Sequence, residues 1–245
     1  MSCPVDNQYT PQNCAGAIGI VSGSGLNLDG LMDQVDRVVP FSAFDGMASG
    51  ALPGHLRTFT FGRVGSASVV LQSGRYHFYE GLGYRAITRP VDLLYEWGIR
   101  TIVFSNVSGG LAPDLDTGAI VAVDRLLTWP FAGWTERPDT IAPDLVLDGA
   151  DATGTYVWVH GPSYETPAEV RLLQQWGGSV VGMSTAPEVQ RCRQLGIRTA
   201  VLSCVTNSCC SPQPLTHDDV IAEAGKLSER LVNLLRRVLE DKSFR

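Results

Sequence analysis

The sequence predicts an α/β fold, a mostly parallel sheet in a single domain spanning residues 1–245. Three observations carry that prediction. Apolar runs of strand length recur along the chain, helical patterns lie between several of them, and two of the runs end in polar residues followed at once by a proline-marked helix start. The runs cover 17–21, 68–71, 101–104, 120–123, 156–159, 179–181 and 199–205. No internal repeat and no low-complexity linker interrupts them.

The first run leads into Ser22-Gly23-Ser24-Gly25-Leu26, whose glycines permit close backbone approach and whose Ser24 supplies a hydroxyl. Leu28 occupies the third glycine position of a dinucleotide fingerprint, so that motif is excluded. The second run is followed by Gln72-Ser73-Gly74-Arg75-Tyr76-His77-Phe78-Tyr79-Glu80-Gly81. Arg75 can grip two oxygens of one phosphate, which Lys cannot. If this stretch stays extended, Arg75, His77 and Tyr79 share one face. An ion-paired Arg75 with aromatics in the core is the alternative.

A helical pattern covers 84–97, and the third run ends in the polar turn Ser105-Asn106-Val107-Ser108-Gly109-Gly110. Residues 129–154, rich in Pro, Asp and Gly, read as a surface excursion. After 156–159 comes His160-Gly161-Pro162-Ser163-Tyr164-Glu165. Thr166 then caps a helix over 167–176 with Pro167 at its first position and Glu169 at its third. Residues 179–181 lead to Gly182-Met183-Ser184, where Thr185 and Glu188 repeat the capping pattern for a helix that stops at Gly196. Ser184 therefore lies by a helix N-terminus, which favours an anion. The last run ends in Thr206-Asn207-Ser208. Thr216 caps a closing helix over 217–239 with Val220, Ile221, Ala224, Leu227, Leu231, Leu234, Leu235 and Val238 on one face.

Composition narrows the function classes. With 245 residues, 44% hydrophobic and 18% charged, the chain can bury a sizeable core, and neither disorder nor a membrane span is indicated. A formal charge of −6 opposes nucleic acid as a partner, while a small anion held by a few local donors is allowed. The N-terminus has no secretory pattern, and the six cysteines show neither disulfide nor metal-ligand spacing, which points to reduced thiols in the cytoplasm. A regulatory disulfide at Cys209-Cys210 stays open as an alternative.

In open α/β sheets ligands gather beyond the carboxyl ends of strands, and four polar turns follow the apolar runs here. Each alone reads as a solvated turn. Together with GSGL at 23–26, PGH at 53–55, GRYHFYEG at 74–81, the turn at 106–110, GPSYETPAE at 161–169, VGMSTAPE at 181–188 and Thr206-Asn207, they give a chain that resembles the trimeric, low-molecular-mass purine nucleoside phosphorylases specific for 6-oxopurines. The resemblance covers most of the chain. It implies a single α/β domain with a central mixed, twisted β-sheet or distorted barrel surrounded by helices, in place of a simple parallel sheet.

The resemblance also implies a reaction, reversible phosphorolysis of purine ribonucleosides and 2'-deoxyribonucleosides to base and pentose 1-phosphate. Inorganic phosphate is a co-substrate, and no metal or cofactor is needed. Ser24, His55, Arg75, Ser184 and the backbone at Val107 would bind phosphate, with His77 beside it. Asn207 would bond N7 and O6 of the purine, and Glu165 its N1–H. Tyr164 would stack on the base; Val181, Met183 and Thr206 would line base and sugar; Tyr79 would touch the ribose and His217 the 5'-hydroxyl. His217 also reads as a capping-region residue of the last helix. The expected partners are nucleoside and phosphate, with a homotrimer as the assembly and no membrane or nucleic acid.

The chain departs from the family at several points. Ser208 stands where Lys is usual, Val107 and Ser108 replace two alanines, and 207–217 is short. The span 126–156 lacks most of an insertion that brings a Phe across the subunit boundary; Trp129, Phe131 or Trp134 could supply an aromatic wall instead. Two rivals follow: a phosphorylase for 5'-modified nucleosides such as methylthioadenosine, against which Asn207 argues because Asp is usual there, and a purine-binding protein without turnover.

Overall fold

The computed structural model describes residues 14–23, 25–47, 57–128, 140–210 and 216–241. In chain order the strands are β1 (Ile18–Ser22), β2 (Gln34–Pro40), β3 (Thr58–Val64), β4 (Ala67–Ser73), β5 (Thr101–Gly110), β6 (Ile120–Thr128), β7 (Thr140–Ile141), β8 (Ala152–Trp158), β9 (Val180–Gly182) and β10 (Arg198–Ser208). The helices are α1 (Tyr84–Glu96), α2 (Pro167–Gln175), α3 (Ala186–Leu195) and α4 (His217–Glu240).

Half of the sheet closes on itself. β5, β10, β6, β8 and β9 pair in that order, and β9 returns to β5, making a ring. The other half is an open wing in which β1 leaves β5 and is followed by β4, β3 and β2. The expected mixed, barrel-like α/β fold is therefore present, and the mostly parallel sheet is corrected: β9 on β5, β6 on β10 and the β2-β3-β4 meander are antiparallel. Strands β2, β3 and β7 lie outside the apolar runs. On β2 only Val39 is buried, since an edge strand with two solvated faces carries no hydrophobic period. β3 does alternate, with Phe59 and Phe61 inward, a pattern that a survey of continuous runs does not select.

The two sides of the sheet have separate cores. On one, Phe44, Phe59 and Phe61 pack around Trp97, which follows α1, with the Phe59 and Trp97 rings 4.9 Å apart. On the other, α4 buries Leu227, Leu231, Leu234 and Leu235. Each such side chain contributes about 1.5–3 kcal/mol, enough to fasten a helix whose exposed face carries Lys226, Glu229 and Arg237. The capping patterns appear as expected: Glu169 N donates to Thr166 Oγ1 at 3.3 Å, Asp219 N to Thr216 Oγ1 at 3.2 Å, and Gly196 ends α3 at φ +69°.

Two expectations about loops are overturned. Residues 106–110 are not a turn, because β5 runs on to Gly110 and pairs with β10 through Asn207 and Ser208. Two glycines permit this. A Cβ at Gly23 would sit 2.7 Å from the Asn106 Cα, and one at Gly109 would collide with the Cys209 sulfur and approach Asn207 Nδ2 to 3.2 Å. The face shared by Arg75, His77 and Tyr79 does not form either: the chain leaves β4 and enters a 3-10 turn at Phe78–Glu80, closed by Glu80.

Candidate active site

A cavity of about 680 Å³, open to solvent, lies where several strand ends and loops meet. β5 supplies Val107, Ser108 and Gly109, and the end of β10 supplies Thr206 and Asn207. Val181, Gly182, Met183 and Ser184 enter from β9 and the residues after it, Tyr164 and Glu165 from the loop after β8, and His77 and Tyr79 from the turn after β4. Val220 in the first turn of α4 completes the wall. Ten residues expected from the sequence thus line one space. Ser24 and His55 lie outside the described residues, as do Trp129, Phe131, Trp134 and the side chain of His217, whose backbone begins α4.

Beneath Ser184 the polar groups are dense. Arg75 is 1% exposed and is not part of the cavity wall. Its Nη1 donates to Ser184 Oγ at 3.0 Å, Thr185 Oγ1 at 2.7 Å and Glu188 Oε2 at 3.2 Å, and its Nη2 to the Ser105 carbonyl at 2.7 Å. Arg75 therefore reaches the cavity through the Ser184 hydroxyl. Thr185 has φ +72°, a conformation that costs a β-branched residue about 1–3 kcal/mol. It is held there by Arg75, by Asn106 Nδ2 at 3.0 Å and by the bond from its own N–H to Glu188 at 3.1 Å. These bonds outweigh the strain and hold the segment that carries Ser184, and Tyr156 Oη adds a bond to the Ser184 carbonyl at 3.0 Å. From Asn106 the network continues through Ser203 Oγ (2.7 Å) to Ser108 Oγ (2.8 Å).

His77 caps the 3-10 turn. Its N–H donates to Glu80 Oε1 at 2.8 Å, its Nδ1 lies 3.3 Å from the same oxygen, and its ring stacks on Tyr79 at 4.8 Å with 13° between planes. Burial lowers the His77 pKa, helped by the Arg75 charge and opposed by Glu80 and Glu188, so the imidazole is held neutral. Burial pushes the Tyr79 phenol up to about 12, so it stays a donor.

The opposite end is looser. Tyr164 is 43% exposed and Glu165 half-buried. Burial raises the Glu165 pKa and the Glu169 charge adds to it, against its own backbone N–H. Thr206 Oγ1 sits 3.3 Å from both the Ser108 carbonyl and Asn207 Oδ1, while Asn207 Nδ2 faces Cys209 Sγ at 3.9 Å. Such an amide and carboxyl can read hydrogen-bonding edges of a flat heterocycle, while the hydroxyl and imidazole at the other end suit a small oxyanion.

Sequence reasoning singled out the stretch that holds Asn106, Ser108 and Gly109 without giving these residues individual contacts, and it assigned no site role to Gly182 and Val220 in the wall, nor to Thr185, Glu188, Ser203 and Glu80 behind it. For Glu80 a signal exists: it stands three residues after His77, the spacing of a capping box. For Ser203, inside an apolar strand, there is none.

Comparisons with known proteins identify the family. The model of the phosphorylase superfamily matches residues 17–142 and 150–240. Purine nucleoside phosphorylase 1 of Bacillus subtilis is 30% identical over 250 residues, covering 91% of this chain and 91% of the relative. A structure of Schistosoma mansoni purine nucleoside phosphorylase with adenosine superposes at TM-score 0.82 and 25% identity, covering 96% of this chain and 94% of that one. The same enzyme with inosine gives TM-score 0.81 at 25% identity, covering 97% and 94%. A family model spanning nearly the whole chain, a curated relative at 30% identity and a shared barrel-and-wing architecture lead to one conclusion: the chain belongs to the phosphorylase superfamily, among relatives that are purine nucleoside phosphorylases.

Proposed function

We propose that this protein is a purine-nucleoside phosphorylase, a pentosyltransferase that reversibly converts purine ribonucleosides and 2'-deoxyribonucleosides, with a preference for inosine and guanosine, into base and pentose 1-phosphate. The observation that carries the reading is the shared cavity: Ser184 and His77 at one end, Glu165 and Asn207 at the other, in about 680 Å³.

In this reading phosphate rests against Ser184 and His77 and attacks the anomeric carbon. The bond from phosphate oxygen to C1' forms as the bond from C1' to N9 breaks. Positive charge grows on the ribosyl group beside the phosphate dianion, and negative charge grows on the departing base. Asn207 donates where that charge develops, which is where a fixed donor lowers the barrier most. Holding phosphate in place supplies the proximity that free phosphate lacks.

Glu165 sets the preference. An ionised carboxylate accepts from the N1–H of a 6-oxopurine, whereas a 6-aminopurine presents a lone pair at N1. Tyr164 stacks on the base, and Val181, Met183, Thr206 and Tyr79 border base and sugar. Ser24, His55 and His217 complete the phosphate and 5'-hydroxyl contacts that the family resemblance implies. The reading brings with it a cytoplasmic homotrimer with no metal or organic cofactor. No described helix is long and apolar enough to cross a membrane.

The test is phosphate-dependent release of hypoxanthine from inosine, compared with adenine from adenosine and from methylthioadenosine. Hypoxanthine release is expected to dominate. Faster adenine release would overturn the 6-oxopurine preference, and saturable inosine binding without turnover would identify a purine-binding protein instead.

A further inference from the structure

Arg57 is a buried cation that the mechanism above does not use. It precedes β3 with φ +50°, a left-handed conformation that an arginine adopts only at a cost, and its carbonyl is fixed by the Phe41 N–H at 2.8 Å. Its guanidinium crosses the Tyr76 ring, 4.5 Å from the centroid, and Nη2 bonds Glu80 Oε2. The other oxygen of that carboxylate holds both the backbone and the ring Nδ1 of His77. A buried side chain on a strained backbone position thus ends on the group that orients a cavity residue, and stored strain of this kind is a pointer to function.

We propose that Arg57 is a positioning residue for phosphate: through Glu80 it holds His77 as the Nδ1–H tautomer, so that Nε2 accepts the hydroxyl of hydrogen phosphate. The proposal rests on the phosphorolysis reading. Its chemistry is direct. Glu80 is acceptor-only when ionised, so the ring nitrogen facing it must donate, and a neutral imidazole that donates from Nδ1 accepts at Nε2. Burial pushes the Glu80 carboxyl up, but the His77 side chain and backbone and Arg57 together bring it below its ordinary value, so it remains the anion the arrangement needs. Hydrogen phosphate has one hydroxyl to give. Binding it at Nε2 turns the unprotonated oxygens toward the sugar.

Three charged groups act on His77: Glu80 from its own turn, Arg75 just after β4 and Glu188 from α3, while Arg57, just before β3, pairs with Glu80. Removing Arg57 leaves the Glu80 carboxylate without its neutralising partner, which favours imidazolium. The acid limb of kcat/KM for phosphate then moves to higher pH.

The experiment compares wild type with Arg57→Gly, Arg57→Met and Arg57→Lys. Glycine suits φ +50°, so Arg57→Gly removes the cation while relaxing the backbone, and its melting temperature shows that the fold persists. Two readouts are taken: the His77 tautomer and its response to inorganic phosphate, from long-range 1H–15N correlations, and the pH profile of kcat/KM for phosphate with inosine saturating. In Arg57→Gly and Arg57→Met we expect loss of the single Nδ1–H tautomer, an acid limb at higher pH and kcat/KM for phosphate lower by about tenfold, within what misplacing a positioned group costs. Arg57→Lys is expected to restore part of the profile. An active, folded Arg57→Gly with unchanged tautomer and acid limb would overturn the proposal and leave phosphorolysis standing. A wild type whose His77 responds to phosphate and depends on Arg57, but which cleaves no nucleoside, would overturn phosphorolysis and leave the tautomer link.

Discussion

The two ends of the cavity are built in opposite ways. Behind Ser184, every link from Glu188 through Arg75, Thr185 and Asn106 to Ser203 is a hydrogen bond between side chains of residues no more than 1% exposed. Around Glu165 the groups are half-buried or exposed, Tyr164 stands at 43% exposure, and Asn207 is steadied by one hydroxyl and a sulfur. The contrast follows from chemistry. In the proposed reaction phosphate is the same in every turnover, so its end would gain from donors that need no reorganisation, whereas a base would have to enter and leave between side chains that can yield. Fold and function are therefore joined at the first end and separable at the second.

The largest effect that would break this comparison is expected at Arg75. Arg75→Met leaves Glu188 buried at 1% exposure without its cation, at a cost of about 3–5 kcal/mol in unfolding free energy, read by urea titration. Adding Glu188→Leu should recover most of that stability without recovering activity. If the double variant is no more stable than Arg75→Met, the two groups are not coupled, and the phosphate end is not the rigid unit described.

At the base end the expected outcome is reversed. Asn207→Ala should lower kcat with inosine by about a hundredfold or more, the scale of losing one transition-state donor, with the urea midpoint nearly unchanged. A fall below threefold would remove Asn207 from the chemistry. A large loss of stability would show that this end too is structural.

The same contrast explains what was legible in the sequence. Residues at the cavity wall stand at strand ends in polar motifs, so Ser184, Glu165, Asn207 and His77 could be singled out before any geometry was known. The supporting network is spread over four elements whose residues are far apart in the chain: Ser203, inside an apolar run, carries no mark of what it touches, and Asn106 reads only as part of a polar turn. Helix caps were legible because a cap is local: Thr166 needs only Glu169. The ring of strands was legible only through the family resemblance and not from the residues themselves, since the pairing of β9 with β5 joins segments about seventy residues apart and depends on glycines that permit close approach.

The smallest expected effect separates two carboxylates of one site by sign. Glu80 has its pKa lowered, because bonds from His77 and Arg57 outweigh burial, so its stabilising contribution is full above the ordinary carboxylate value and is lost as pH falls through the lower folded value. Glu165 has its pKa raised by burial and by Glu169, so its contribution is full below the ordinary value and is lost as pH rises through the higher folded one. Stability measured against pH should therefore diverge. Relative to wild type, Glu80→Gln is expected to lose stability near neutral pH and recover it in acid, and Glu165→Gln to gain stability near neutral pH and lose that gain in acid. Solvent reaches both groups, which keeps the differences modest. Curves of the same sign for both variants would mean that the two ends share one electrostatic environment, and the division between a fixed anion floor and a yielding base clamp would fall with it.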